Sequence, residues 1–348
     1  MTQYKEKIPL DLKRFFIGIA LILLFFYFIF RNINLEKLKN AIFHFNPWYL
    51  IPALVVYFIG YWVRTFRWQV LLSPIKKCKL SNLFRFLLIG FTINNLLPAR
   101  IGEIYRAHLV GKHEKISRSS VIATIIIERL FDGTALLFIM LTAILFRHPN
   151  PHPHSSIINI SSIAQGAAIF FGCGLLIMFL ILSFRNTSVS IIRSLIRHTP
   201  KKYHLLLEKI THKFLDGLNI LKNFKEILIV FFTSLIAWTL EFTTYYIIAL
   251  GFHLAPWPLH YNSVALLMAV TILSMLIPGT PGGVGIFELI GINFLRLYPI
   301  SKEMAIAYVF ITHLAVLVPV TVIGLFFIFH EGMNFQSNKA IQLEEKLK

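Results

Sequence analysis

The sequence predicts an all-α, polytopic membrane protein, a bundle of six to eight spans with one or two hairpins that enter the bilayer and return. Three observations carry that expectation. Hydrophobic residues make up 56% of the 348 and charged residues only 14%, outside the usual balance of water-soluble domains. Apolar runs long enough to cross about 30 Å of hydrocarbon recur at Leu12–Phe30, Pro47–Val63, Val121–Phe146, Ile163–Phe184, Ile227–Leu250, Asn262–Ile277 and Met304–Phe329. Two shorter runs, Leu83–Leu97 and Val284–Leu297, border proline and glycine that no continuous helix accommodates.

The first run follows Lys5, Lys7, Lys13 and Arg14 but has no small-residue cleavage site before Arg31, so it reads as a retained span rather than a signal peptide. Because cytoplasmic loops collect Lys and Arg, those cations put the N-terminus inside, 31–46 outside and Arg64–Lys79 inside again. Asn34 with Leu35, Leu38 and Ile42 suggests a short amphipathic helix outside. Arg64 and Arg67, flanked by Trp62 and Trp68, read as an inner-leaflet anchor, with Arg64 also placed to face the interior.

A full crossing at Leu83–Leu97 would export the loop with Arg100, Arg106, Lys112, Lys115 and Arg118 and reverse every later loop. A hairpin over about 83–109, broken at Pro98, removes the conflict. The segment 185–226, with nine Lys and Arg up to Lys225, is then cytoplasmic. Within it Tyr203, Leu207, Ile210, Phe214, Leu218, Leu221 and Phe224 recur at helical spacing, which predicts an amphipathic helix on the inner leaflet. Phe252–Tyr261, free of Lys and Arg, fits outside, and Lys339, Lys346 and Lys348 fit inside. Whether 262–297 is a re-entrant pair, with its hairpin near 273–297, or two full spans stays open. One membrane domain, 1–335, with a polar tail at 336–348, accounts for the chain. The predicted location is the cytoplasmic membrane, both termini inside.

The net charge of +18, from 34 basic and 16 acidic residues, is spread between apolar runs, which suits anionic lipid headgroups and not nucleic acid. Cys78 and Cys173 imply no disulfide framework. His148, His152 and His154 alternate with prolines and read as a solvated loop rather than a metal clip. No cofactor or metal is predicted, and no Gly-x-x-x-x-Gly-Lys-Ser/Thr pattern is present, so any transport would be passive or ion-coupled.

The stretch Pro278-Gly279-Thr280-Pro281-Gly282-Gly283-Val284-Gly285-Ile286-Phe287-Glu288 breaks the helix. In lipid, broken backbone persists only inside protein or along a watery cavity, so the stretch reads either as the wall of a site or as a tight turn outside the membrane. A helix restarting at Val284 or Gly285 would aim its amides back at the break and cradle an anion. Asn95-x-x-Pro98-x-Arg100-x-Gly102-Glu103-x-x-Arg106 repeats the theme of aliphatic pair, proline, glycine and glutamate, the pattern of inverted broken hairpins. Between them Glu128, Arg129 and Asp132 lie in one span, where each charge costs roughly 2.5 to 3.5 kcal/mol unless paired or wetted. They read either as a structural tie to Arg100 or Arg106, or as acids orienting those arginines toward a phosphate. Glu241 opens a possible pathway with Glu288, and His313 reads as a satisfied packing histidine.

Asn95 through Arg106, Glu128-Arg129-x-x-Asp132 and Pro278 through Glu288, in this order, resemble the motifs of the lysylphosphatidylglycerol synthase transmembrane family, also described as flippase-like. In multiple peptide resistance factors, its best-known members, the similar domain is implicated in moving aminoacylated phosphatidylglycerol between leaflets, and a separate soluble domain makes that lipid. The polar tail after the last span implies that this chain lacks the synthase module, which removes the basis for lysyl transfer and leaves the substrate open. The resemblance and the residues together lead to an expected binder and translocator of an anionic phospholipid or lipid-linked sugar phosphate. Its predicted headgroup site comprises Asn95, Arg100, Glu103, Arg106, Glu128, Arg129, Asp132, Gly279, Gly282, Gly283, Gly285 and Glu288, with Arg64 and Glu241 along a pathway. Two rivals are a membrane transferase acting on phosphatidylglycerol or a polyprenyl phosphate, and a scaffold for a lipid-modifying partner enzyme.

Overall fold

The computed structural model describes residues 7–10, 12–31, 33–98, 100–146, 204–218, 223–275, 280–332 and 334–337, with scattered positions between 165 and 196. It is a helical membrane protein. The run Ile163–Phe184, the three loop histidines, Gly279 and nearly all of the tail fall outside or largely outside these residues.

Helix α1 (Leu12–Phe30) bends by 96° into α2 (Leu35–Phe43). The Asn34 side chain caps α2 by accepting from the Glu36 and Lys37 amides at 3.0 and 3.1 Å, so the short helix expected there forms. After a 3-10 turn at Pro47–Tyr49, α3 runs from Leu50 to Leu72. It extends more than two turns beyond the expected end at Val63. The anchor reading of Arg64 and Arg67 is therefore corrected: both are buried in the bundle, at 5% and 0% exposure, and paired there with carboxylates.

Helices α4 (Leu80–Leu96) and α5 (Ile101–His113) form a tight antiparallel pair around Pro98. Asn94 Oδ1 accepts from the Gly102 amide at 2.8 Å, and the Phe86 ring meets His113 edge-on at 5.3 Å. A Cβ on Gly102 would lie 1.9 Å from the Gly90 carbonyl oxygen, so only glycine lets the two backbones approach this closely. The two helices thus form an antiparallel hairpin of backbone contact.

Helix α6 (Arg118–Leu145) is buried over much of its surface, and Thr124, Glu128, Asp132 and Ala135 fall along one of its buried faces. Against its first turns lies α7 (His204–Gly217), where Ser120 Oγ donates to the Lys213 carbonyl at 2.6 Å. Part of the face assigned to the inner leaflet is thus taken up by protein: Phe214 and Leu218 pack against the core with Leu215, whereas Ile210 is exposed.

Helix α8 (Phe224–Gly251) packs along α3, and α9 (Tyr261–Ser274) is buried on nearly every side. A 3-10 turn at Pro281–Gly283 leads to α10 (Ile286–Leu295), which folds back so that Gly291 faces Thr271. Helix α11 (Lys302–His330) closes on α4, with Thr92 donating to the Val320 carbonyl at 3.1 Å and Asn95 to Thr321 Oγ1 at 2.9 Å. A parallel strand pair joins β1 (Lys7–Leu10) to β2 (Asn334–Ser337), with Lys7 opposite Asn334; the all-α expectation lacked it.

By length and composition, three described helices can cross a membrane: Pro47–Leu72, Phe224–Gly251 and Lys302–His330, with the bent α1–α2 pair a fourth. Helix α6 is as long, at 28 residues, about 42 Å at 1.5 Å per residue, but carries Glu128, Arg129 and Asp132 in its middle.

Candidate functional site

The two interrupted stretches meet inside the bundle. Arg100 caps α5 in the left-handed conformation, φ 52° and ψ 36°, which costs a non-glycine residue about 1–2 kcal/mol. From there its guanidinium donates to the Met275 carbonyl, just past α9, at 2.8 Å. From the other side, Gly282 at φ 60° lies against Asn95 and Leu317; a Cβ there would come within 2.7 Å of Leu317.

Between the breaks is a cavity of about 150 Å³, room for a phosphate-sized group or several waters. Its charged wall holds Arg64, Arg100, Arg129 and Glu241, three guanidiniums to one carboxylate, and its remaining wall includes Tyr57, Tyr61, Phe91, Asn95, Trp238, Tyr245, Phe287 and His313. Arg64 pairs with Glu241 and lies over the Trp238 ring at 4.5 Å. The Tyr57 hydroxyl donates to the Val316 carbonyl at 2.9 Å. The Tyr245 hydroxyl is buried at the cavity with no hydrogen-bond partner, an arrangement that costs about 1–3 kcal/mol unless a ligand or water completes it.

Beside the cavity is a closed ion cluster. Arg67 donates to Asp132 at 2.5 and 3.2 Å and to Ser234 Oγ at 2.7 Å, and it lies 3.2 Å from Glu128. Arg106 pairs with Glu128 at 3.1 Å and stacks over Trp68 at 4.7 Å. Arg129 reaches Glu128 at 3.0 Å, Glu103 at 3.3 Å and Asp132 at 3.8 Å, and the Trp238 indole donates to Asp132 at 3.0 Å. Three cations face three anions, so the cluster is neutral; in low dielectric such a set persists only when every charge has partners. Arg129 belongs to both groups, with its side chain 27% exposed.

At the second break Glu288 folds back on its own helix. One carboxylate oxygen accepts from the Gly285 amide at 2.6 Å, and the other meets His313 Nδ1 at 2.6 Å. His313 Nε2 faces the Gly282 carbonyl at 3.1 Å, and Phe287 stacks on the imidazole at 4.2 Å between ring centres. The expected amide cradle for an external anion is therefore corrected: the chain's own carboxylate occupies the first turn of α10.

Of the residues anticipated from sequence, Asn95, Arg100, Arg129, Gly282, Arg64 and Glu241 come together at the cavity. Glu103, Arg106, Glu128 and Asp132 lie in the ion cluster instead, and Arg106, at 1% exposure, does not line the cavity. Gly283 and Gly285 shape the turn at φ 73° and 96°, pressed against Met275 and Phe25. Sequence reasoning missed Arg67 as a cluster member, missed Tyr57, Tyr61 and Tyr245 entirely, and gave His313 packing alone. The signal was present: Tyr57, Tyr61 and Arg64 fall at i, i+4 and i+7, and Glu241 and Tyr245 at i and i+4, each a polar stripe on one face of an apolar helix. Among the described residues no group of three His, Cys, Asp or Glu is arranged to hold a metal ion.

Comparison with known proteins places this geometry in context. The family described as "Lysylphosphatidylglycerol synthase TM region" matches residues 15–324. A UPF0104 membrane protein of Methanocaldococcus jannaschii is 22% identical over 311 residues, 86% of this chain and 90% of that one. Another from the same organism is 29% identical over 221 residues, 62% of this chain and 83% of its own length. Glycosyltransferase AglD of Haloferax volcanii is 24% identical over 300 residues, 80% of this chain but 48% of that protein. With a match that runs from the first helix into the last and takes in both breaks and the ion cluster, the chain belongs to the lysylphosphatidylglycerol synthase TM region family.

Proposed function

We propose that the protein binds the anionic headgroup of a phospholipid or lipid-linked sugar phosphate in the cavity between the two breaks and carries it across the cytoplasmic membrane. The observation that carries this reading is the cavity wall itself, where Arg64 and Arg100 outnumber Glu241, Arg129 being balanced by the acids of the ion cluster, and the Tyr245 hydroxyl lacks a partner. Guanidiniums suit phosphate because they offer paired donors in a fixed fork. The neutral cluster behind Arg129 holds it in place, in the positioning part expected of Glu103, Glu128 and Asp132. The hairpin around Pro98 acts as a re-entrant element in this scheme, and its partner hairpin at 273–297 opens toward the other leaflet.

The test is purified protein in vesicles of phosphatidylcholine and phosphatidylglycerol carrying a trace of fluorescent phosphatidylglycerol, with dithionite bleaching the outer leaflet. Wild-type protein should expose inner-leaflet probe, and Arg100→Ala should slow the exchange roughly tenfold or more, the worth of a charged hydrogen bond. Probe that stays protected, with phosphatidylglycerol and with a polyprenyl-phosphate sugar alike, would remove the reading.

The relationship to a protein named as a glycosyltransferase favours lipid-linked sugars within this substrate class and sustains a second reading, a membrane transferase. Mass spectrometry of the same vesicles separates the two: a transferase alters the lipid covalently, whereas a translocator returns it unchanged.

A further inference from the structure

We propose that Glu288 and His313, the latter lining the cavity, form a proton-binding pair whose protonation is linked to headgroup binding, so that a proton accompanies the lipid. The proposal rests on the headgroup reading and adds the identity of the coupled ion.

The hydrogen-bonding geometry suits a pair that holds two protons. His313 Nδ1 meets a Glu288 oxygen at 2.6 Å and Nε2 meets the Gly282 carbonyl at 3.1 Å. A carbonyl and an ionised carboxylate only accept hydrogen bonds, and a neutral imidazole has a single N–H to give. A neutral histidine beside an ionised glutamate would therefore aim one nitrogen lone pair at an oxygen lone pair. Two protons satisfy both contacts, as imidazolium against carboxylate or as imidazole against carboxylic acid. One of them is removable, and its loss costs one of the two hydrogen bonds. The other Glu288 oxygen is held by the Gly285 amide at 2.6 Å, so the carboxyl cannot turn away without opening the first turn of α10.

The pair is shielded yet in contact with the site. The His313 and Glu288 side chains are 6% and 3% exposed, and His313 lines the cavity. The other charged and titratable groups facing that space are Tyr57, Tyr61 and Arg64 from α3, Arg100 at the head of α5, Arg129 from α6, and Glu241 and Tyr245 from α8. With the pair doubly protonated and neutral, and Arg129 balanced by the acids of the ion cluster, the cavity wall carries one more positive charge than negative. Deprotonation adds a negative charge beside the place where an anion would sit, and in a low-dielectric site a like charge disfavours binding. By linkage, what the proton does for the anion, the anion does for the proton. The Nε2 contact also joins α11 to the Pro281–Gly283 turn, so a change of proton number is felt at the second break.

The experiment has two arms on the detergent-purified or reconstituted full chain. Infrared difference spectra over a pH titration should show one ionisation in wild type that is missing from both Glu288→Gln, whose amide still accepts from Gly285, and His313→Gln. Identical spectra for all three proteins overturn the proton pair. In vesicles of phosphatidylcholine and phosphatidylglycerol with pyranine trapped inside and the membrane potential clamped, wild-type movement of fluorescent phosphatidylglycerol should be accompanied by luminal acidification and accelerated by an imposed pH gradient. Lipid movement with neither effect overturns the coupling and leaves the headgroup reading standing. No lipid movement in wild type removes the headgroup reading and the coupling with it, while the titration still decides whether the pair holds its proton.

Discussion

Replacing Arg67 by methionine tests whether the ion cluster is held together by charge balance. The guanidinium gives three hydrogen bonds, two to Asp132 and one to Ser234, and stands 3.2 Å from Glu128, all out of contact with solvent. Its removal leaves three carboxylates facing two guanidiniums. Breaking a buried pair from one side costs about 3–5 kcal/mol, because the partner charge stays buried; at 1.4 kcal/mol per tenfold, that is roughly two to three and a half decades in the unfolding equilibrium. Arg67→Met with Asp132→Asn restores neutrality, two against two, and the asparagine oxygen still accepts from Trp238. The double variant should therefore recover most of the loss. Unfolding in mixed detergent micelles, followed by tryptophan fluorescence, reads this directly, because Trp68 stacks on Arg106 and Trp238 is bonded to Asp132. A single variant as stable as wild type, or a double variant as unstable as the single, would refute the charge-balance account.

Three further outcomes are expected. Gly102→Ala should destabilise the α4–α5 pair by several kcal/mol, since a Cβ would overlap the Gly90 carbonyl at 1.9 Å and overpacking typically costs about 1–3 kcal/mol even where neighbours relax; a normal melting temperature would show that the helices separate freely. Tyr245→Phe should leave stability unchanged or slightly raised, its hydroxyl having no partner, while weakening binding of short-chain phosphatidylglycerol in a calorimetric titration; equal affinity would take the hydroxyl out of the site. At the end of α5 a hydrogen bond from Lys76 holds the Glu114 carboxyl below its ordinary range. The stability this supplies is present above the unfolded glutamate pKa of about 4.3 and is lost as pH falls through the lower folded value. With Lys76 43% exposed it is worth less than about 1 kcal/mol, so Glu114→Gln should lower stability at neutral pH by that small amount, flatten the acid limb of the profile and match wild type once the wild-type carboxyl is protonated.

Much of the architecture was legible because lipid leaves few choices for a backbone. Most of the described apolar runs became helices with ends within a few residues of expectation, α3 running on past Val63 to Leu72, and proline with glycine marked both interruptions. Some of the failures have one cause: a side chain's partners on other helices are invisible along a single chain. Arg67 beside Trp68 has the composition of an interfacial anchor, and only the approach of Asp132 from α6 turns it into a buried ion-pair hub. Glu288 was assigned to headgroup binding as part of the Pro278–Glu288 stretch; its reach back to Gly285 is local and could have been read from the three-residue spacing. His313 was recognisable as satisfied, but its contact with Gly282 depends on the second break folding against α11. The tyrosines were passed over because hydroxyls within apolar helices are ordinary, although their helical spacing with Arg64 and Glu241 was on view.

The strand pair β1–β2 is a clasp. Its register sets Lys7 opposite Asn334 and Leu10 opposite Ser337, so the segment before α1 and the segment after α11 are held side by side, and releasing either strand would leave the other with a row of unpaired backbone groups.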